Sequence, residues 1–354
     1  MTAPVPASPD PVPPVPEFIV TLPTRGDGAR GDFGPPPPAP PAFVTDLRPG
    51  AYGPFDHLAE IGRAAEIAGF DGALAPFDAG GEESVVVTAG LLRASRWLRG
   101  AAGLHPGVAT PVYAAKVSAS LQRFSGGRLD WRLSVDLDPS VARAQGDFVE
   151  GPDRYARADE FLTIAKGVWH EDSYTYEGRF FQVLAGGFQA PLSDRPFPRV
   201  HLSGTSPEAL DLSARHADVH VFDFAAAQPG VSRQGDVLDA LIADLRARAA
   251  GHGRALAFGL TLPVLAREDE EEARAEAARR TAAGAPPSGL TGSYDQVADA
   301  IRGFAARGVT TFVLEAAPYV EETYRLGEHL LPLLATGTAP AAASDTVKEH
   351  EHAD

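Results

Sequence analysis

The residues with chemistry to offer gather at a few points of the chain. Ser203-Gly204-Thr205-Ser206-Pro207 is the most informative: hydroxyls and a glycine stand directly ahead of a proline that can open a helix. Hydroxyls and free backbone N–H groups at a helix N-terminus form an anion site that a phosphate fits. Ser and Thr are equally at home there as ordinary N-caps. Arg25, within Pro23-Thr24-Arg25-Gly26-Asp27-Gly28, is either an anion contact or a surface arginine in a Gly-rich loop. His105, just before Pro106, is a candidate proton donor or stacking residue, or else a packed structural histidine. Asp136 and Asp138 suit acid/base work or a turn. His216 and His220 are four apart but straddle a helix-to-strand boundary, so they do not form a metal pair. His350 and His352 read as part of a solvated tail. The chain lacks GxGxxG, P-loop, HExxH and GxSxG motifs. With no Cys, it has no disulfide, zinc-thiolate site, iron–sulfur cluster or Cys nucleophile.

These residues need a scaffold, and the periodicity supplies one. Strands are predicted near 17–22, 72–77, 99–104, 128–135, 199–203, 218–222, 257–265 and 310–315. Helices are predicted over 56–68, 84–97, 111–124, 152–169, 207–216, 234–250, 268–283, 294–307 and 320–334. Thr110 as N-cap, Pro111 at the first helical position and Gly126-Gly127 at the end mark one of them. Eight strands alternating with helices predict an α/β fold, a TIM (β/α)8 barrel with insertions, and a doubly wound open sheet is the alternative. Function in a barrel lies at the C-terminal strand ends. Those ends carry Arg25, Asp78, His105, Asp136, Ser203–Ser206, Asp223, Thr261 and Glu315. Three segments interrupt the alternation: a Pro-rich loop over 26–54, a hairpin over 174–183 and a short loop over 284–293.

Length and charge narrow the class. The 354 residues carry a formal net charge of −16, which disfavours a nucleic-acid partner. A hydrophobic content of 44% suffices for a full core. No apolar run approaches the roughly 20 residues of a membrane helix, and no signal-peptide pattern opens the chain, so a cytoplasmic protein is expected. Residues 1–16 and 336–354 read as disordered tails around one barrel domain over 17–335.

With these residues in order, the chain resembles the bacterial luciferase-like flavin monooxygenases, specifically the alkanesulfonate monooxygenase branch. The likeness is carried by LPTRGDG (22–28), AGFDGALAP (68–76), TPVYAAKVSASLQRFSGGR (110–128), DRYARADEF (153–161), YEGRFFQV (176–183), RPFPRVHLSGTS (195–206) and YVEETYRLGEHLLPLL (319–334). It implies a luciferase-like TIM barrel using reduced FMN from a separate flavin reductase, with O₂ activated at the flavin. It also implies a homo-oligomer, as a dimer or tetramer. Thr205, Ser206 and Tyr155 match the family's phosphate-binding positions, within the turn that Ser203 and Gly204 begin. Elsewhere the chain departs from the branch. Val135-Asp136-Leu137 replaces a Thr-Gly-Ser run, Gly81 stands near a Cys position, Thr261 and Pro263 replace an Arg and a His, and Arg25 replaces a first-strand His. A sulfonate needs charge-assisted donors in a dry pocket. The expected substrate is therefore a small organic molecule other than a simple alkanesulfonate, with Arg25 and His105 as candidate catalytic residues. A barrel that has lost its chemistry and serves as a partner or regulatory subunit is the alternative, and deazaflavin hydride transfer a third reading.

Overall fold

The computed structural model describes residues 16–26, 54–188, 194–223, 231–284 and 289–335. The two tails, the bulk of the Pro-rich loop, His350 and His352 lie outside the described residues. Among the described residues eleven strands follow in chain order: β1 (Glu17–Thr21), β2 (Gly72–Ala75), β3 (Arg99–Leu104), β4 (Leu129–Leu133), β5 (Tyr174–Glu177), β6 (Gln182–Gly186), β7 (Arg199–Leu202), β8 (Val219–Asp223), β9 (Ala257–Arg267), β10 (Leu290–Ser293) and β11 (Val309–Glu315). The helices are α1 (Pro54–Ala68), α2 (Ser84–Ala94), α3 (Pro111–Ser125), α4 (Pro139–Ala144), α5 (Asp153–His170), α6 (Pro207–His216), α7 (Val231–Gly251), α8 (Glu270–Ala282), α9 (Tyr294–Ala306), α10 (Tyr319–Arg325) and α11 (Leu331–Ala335). A π-helical turn over Leu326–Leu330 joins the last two.

Strands β1, β2, β3, β4, β7, β8, β9 and β11 pair in parallel in that order, and β11 returns to β1. The ring is closed: this is the (β/α)8 barrel. Strands β5 and β6 form the expected antiparallel hairpin, with Tyr176 opposite Val183. The segment read as a loop over 284–293 instead contains β10, which pairs with the far end of β9 from Leu290↔Val264 to Ser293↔Arg267. Strand β9 runs eleven residues, beyond the barrel wall, and offers a free edge that this short segment takes.

Local chemistry sets the helix ends. Thr110 Oγ1 accepts the Tyr113 N–H at 3.3 Å. Gly126 closes α3 in the left-handed region at φ 72, returning its N–H to the Gln122 carbonyl. Ser293 and Gln296 form a reciprocal capping box on α9. Asp138 caps α4 by accepting the Ser140 N–H at 2.8 Å, which gives it the turn role of the two open to it.

Side chains alternate across the barrel wall. Ile19, Leu74, Ala101, Val219, Val221 and Val313 pack together in the lumen. Trp131 and Leu133 point outward, with Phe161 and Val168 of α5 and Ala115 and Ala119 of α3. Trp131 Nε1 donates to Ser118 Oγ at 2.8 Å, which satisfies its one polar atom. The lumen floor is charged. Asp130 accepts from Arg99 Nε at 2.9 Å and from Arg199 Nη2 at 2.7 Å, and Arg199 Nη2 also donates to Glu17 at 2.7 Å. This network ties β1, β3, β4 and β7 at the end remote from the strand C-termini.

Candidate active site

The C-terminal ends of the strands form the opposite rim. Strand β7 leads through Ser203–Thr205 to Ser206, whose Oγ accepts the Ala209 N–H at 3.2 Å and so caps α6. Gly204 takes φ 111, and a Cβ there would lie 2.8 Å from Ala209 Cβ and 4.0 Å from the Tyr155 hydroxyl. Only glycine lets the turn close against α6 and leave this space open. Tyr155, in the first turn of α5, turns its hydroxyl toward Ser206 and Asp136. Burial pushes the Tyr155 pKa up. Thr205 is exposed, while Ser203 and Ser206 are half-buried. The four positions named on the β7 turn and Tyr155 are thus brought together, although Ser206 also serves as an ordinary cap.

Asp136 stands beside this cluster rather than across the barrel. Arg154 Nη1 lies 3.3 Å from its Oδ1 and also donates to the Leu137 carbonyl at 2.8 Å. The cation offsets a carboxylate that would otherwise repel a phosphate.

The other two candidates are placed differently. Arg25 is 66% exposed and grips Asp78 with two donors, one of them Nη2 to Oδ1 at 2.6 Å. The guanidinium holds the Asp78 carboxyl below the usual carboxylate range. The Arg25 guanidinium therefore already has its anion, and the contact joins the β1 and β2 loops. Gly81 lies under the same junction: a Cβ there would come within 2.7 Å of Thr24 Oγ1. No side chain, cysteine included, fits that position without moving the β1 loop.

His105 is fully enclosed. Its Nδ1 donates to the Ser134 carbonyl at 2.7 Å, and its Nε2 meets Asp147 Oδ2 at 2.7 Å. Asp147 also accepts two bonds from Arg157, at 2.7 and 2.6 Å. The Arg157 guanidinium is the main reason the Asp147 carboxyl is held far below its ordinary range. With both ring nitrogens engaged inside the protein, His105 presents neither to the mouth; it braces the β3, β4 and α5 loops.

Sequence reading passed over a second cluster at the mouth. Arg132 rises from β4 inside the lumen, and its Nη2 lies 3.3 Å from Asp223 Oδ1. Thr261 Oγ1 donates to the same oxygen at 2.8 Å. Glu315, at the end of β11, lies near enough to both charges to feel them. Asp223, Thr261 and Glu315 were visible as strand ends, but Arg132 sits mid-strand, where only the inward pleat gives it away. Among the described residues no group of three or more His, Asp or Glu could hold a metal ion.

A family model described as luciferase-like monooxygenase matches residues 41–291, well over half of the chain. This chain belongs to the luciferase-like monooxygenase family. The family is one of flavin-dependent enzymes. Solved structures agree on the fold. The EDTA monooxygenase of Chelativorans sp. BNC1 superposes with a TM-score of 0.75 at 17% identity, covering 91% of this chain and 94% of that one. A riboflavin lyase, solved with modified FMN and riboflavin, gives 0.72 at 17% identity over 92% of each chain. The coenzyme F420-dependent tetrahydromethanopterin reductase of Methanopyrus kandleri gives 0.67 at 14% identity, covering 90% and 99%. The same barrel thus serves both flavin and deazaflavin chemistry, and the cofactor must be argued from side chains.

Proposed function

We propose that this luciferase-like protein is an FMNH₂-dependent monooxygenase, supplied with reduced FMN by a separate flavin reductase. The observation that carries the reading is the convergence of Tyr155, Gly204 and Ser206 at the end of β7. A phosphate monoester fits this group. The α6 N-terminus supplies backbone N–H groups and a favourable dipole. The Ser206 hydroxyl accepts from Ala209 and carries a proton it can donate. Ser203, Thr205 and Tyr155 add three more hydroxyls, and Gly204 leaves room for the phosphate oxygens. When bound, reduced FMN would supply the two electrons that activate O₂, with one oxygen atom passing to the substrate and the other to water. The surrounding Asp136 and Glu208 favour a compact phosphate over the polyacidic tail of a deazaflavin.

The substrate is proposed to be a small organic molecule other than an alkanesulfonate. Among the described residues of the mouth, no free arginine replaces the Arg and His whose places Thr261 and Pro263 take on β9. Arg25 and His105 act by position: the first pins two rim loops together, and the second braces Asp147. A homo-oligomer is supported by exposed Val86, Tyr113 and Phe124 on α2 and α3. A cytoplasmic location accords with the absence, among the described residues, of any helix long and apolar enough to cross a membrane.

The decisive experiment is a titration with FMN, oxidised and then anaerobically reduced, followed by flavin fluorescence and absorbance. Tight binding of the reduced form, lost in the Thr205→Ala/Ser206→Ala double variant, is expected. Failure of the native protein to bind either form would overturn the reading.

A further inference from the structure

Among the described strand-end carboxylates of the mouth, Glu315 lacks an arginine partner. Three strand-end carboxylates each have an arginine: Asp78 has Arg25, Asp136 has Arg154 and Asp223 has Arg132. Glu315 has none. It is half-buried at the end of β11 and accepts no hydrogen bond from any described residue. Burial and the nearby Asp223 charge both push its pKa up. A carboxylate held out of water without a donor costs stability. At the catalytic end of a barrel, such a group is explained by a ligand that completes it.

Two neighbours define what that ligand would meet. Val20 pairs with Leu314, so Thr21 and Glu315 follow next in register on adjacent strands. Ile19 faces the lumen, and Thr21, two residues on, faces it as well. Thr21 is 7% exposed, and its Oγ1 is enclosed with no hydrogen-bond partner. On the other side, Asp223 is 57% exposed and already accepts from both the buried Arg132 and Thr261. Arg132, Asp223 and Glu315 together leave one negative charge. The site therefore offers acceptors at Glu315 and Thr21 inside a negative mouth.

We propose that Glu315 is a substrate-contacting carboxylate that, with Thr21 and Asp223, selects a substrate bearing an aliphatic ammonium group. Such a group donates up to three hydrogen bonds and neutralises the residual charge. An alcohol fills the same space without the charge. A sulfonate or carboxylate meets repulsion, which excludes it as strongly as the ammonium is welcomed. Arg132 is a positioning residue that fixes Asp223. This inference gives the substrate class for the monooxygenase reading and takes its functional meaning from it, but it is tested by binding alone.

The test is calorimetric titration of the full chain with n-hexylammonium, hexan-1-ol and hexane-1-sulfonate at neutral pH. Hexylammonium should bind at least about tenfold more tightly than either of the others, the size of a charge-assisted bond in a shielded site. Glu315→Gln keeps the shape, and should erase that preference while leaving the FMN titration unchanged. A thermal melt of the variant checks the fold, and its midpoint should hold or rise because a desolvated charge is removed. Equal affinity for hexylammonium and hexan-1-ol, or an undiminished preference in folded Glu315→Gln, would overturn the proposal. Ammonium preference without FMN binding would remove the flavin reading and leave this one standing. FMN binding without ammonium preference would do the reverse.

Discussion

At the residue scale, partners far along the chain decide what each polar group can do. His105 shows this most clearly. Its position before Pro106 left a proton donor, a stacking residue and a structural histidine open. Asp147, 42 residues later, takes Nε2 at 2.7 Å and keeps that nitrogen inside the protein. Asp147 is in turn the shared acceptor of His105 and Arg157. Asp147→Asn should leave the buried Arg157 guanidinium uncompensated and cost about 3–5 kcal/mol, read by urea unfolding. Arg25 follows the same logic through Asp78, 53 residues away. By contrast, the β7 turn was readable locally, because Ser-Gly-Thr-Ser-Pro carries its own capping chemistry. Thr205→Ala/Ser206→Ala should weaken reduced FMN by about ten- to a hundredfold, the loss of two charge-assisted bonds.

At the element scale, legibility follows locality. The ends of α3 were fixed by Thr110, Pro111 and Gly126 within one segment, and the structure keeps them. Strand β10 was not legible: Leu290–Ser293 has no apolar alternation and is extended only because the β9 edge templates it. The final helix was read as continuous over 320–334, yet it contains a π-helical turn where Gly327 packs on α1. A Cβ at Gly327 would stand 2.2 Å from Ala68 Cβ, a contact invisible to helical periodicity. The β7–α6 turn gives the prediction at this scale. Gly204→Ala forces a Cβ at φ 111 against Ala209, and should cost on the order of 1–3 kcal/mol. Both the melting temperature and FMN affinity should fall, whereas Gly253→Ala, in open space at a helix end, should spare FMN binding.

At the scale of the whole molecule, the barrel buries titratable groups in its wall and floor, and this sets its response to acid. His201, in the lumen, is pushed down by burial to about 4, and His220, outside the wall, to about 3. Both are neutral in the fold. As pH falls below 6.5, the unfolded chain takes up protons that the fold refuses until those lower values are reached. Stability should therefore fall through this window, by on the order of 3 kcal/mol for His201 and 5 kcal/mol for His220. Depressed carboxylates act in the same sense at lower pH. Burial raises Glu276, but Arg267 and Arg280 outweigh it and bring it to about 2, so its contribution is lost as pH drops from the unfolded carboxylate value toward 2. Unfolding midpoints in urea measured across this range should decline steadily, and His220→Gln should flatten the upper part of the curve. A flat native profile would contradict the buried, neutral assignment.

What the sequence determined by itself was the architecture and the capping turn after β7. Strand and helix periods, caps and Gly-Pro punctuation act within a few residues, and eight such units predict a barrel, whose closure the β11–β1 pairing supplies. The tertiary structure decided which polar residues are free. Strand closure brought Arg132, Asp223 and Glu315 to one mouth from three separated stretches of chain, and buried His105 between Ser134 and Asp147. Charge pairing depends on distances across the barrel, and those distances exist only once the sheet has closed.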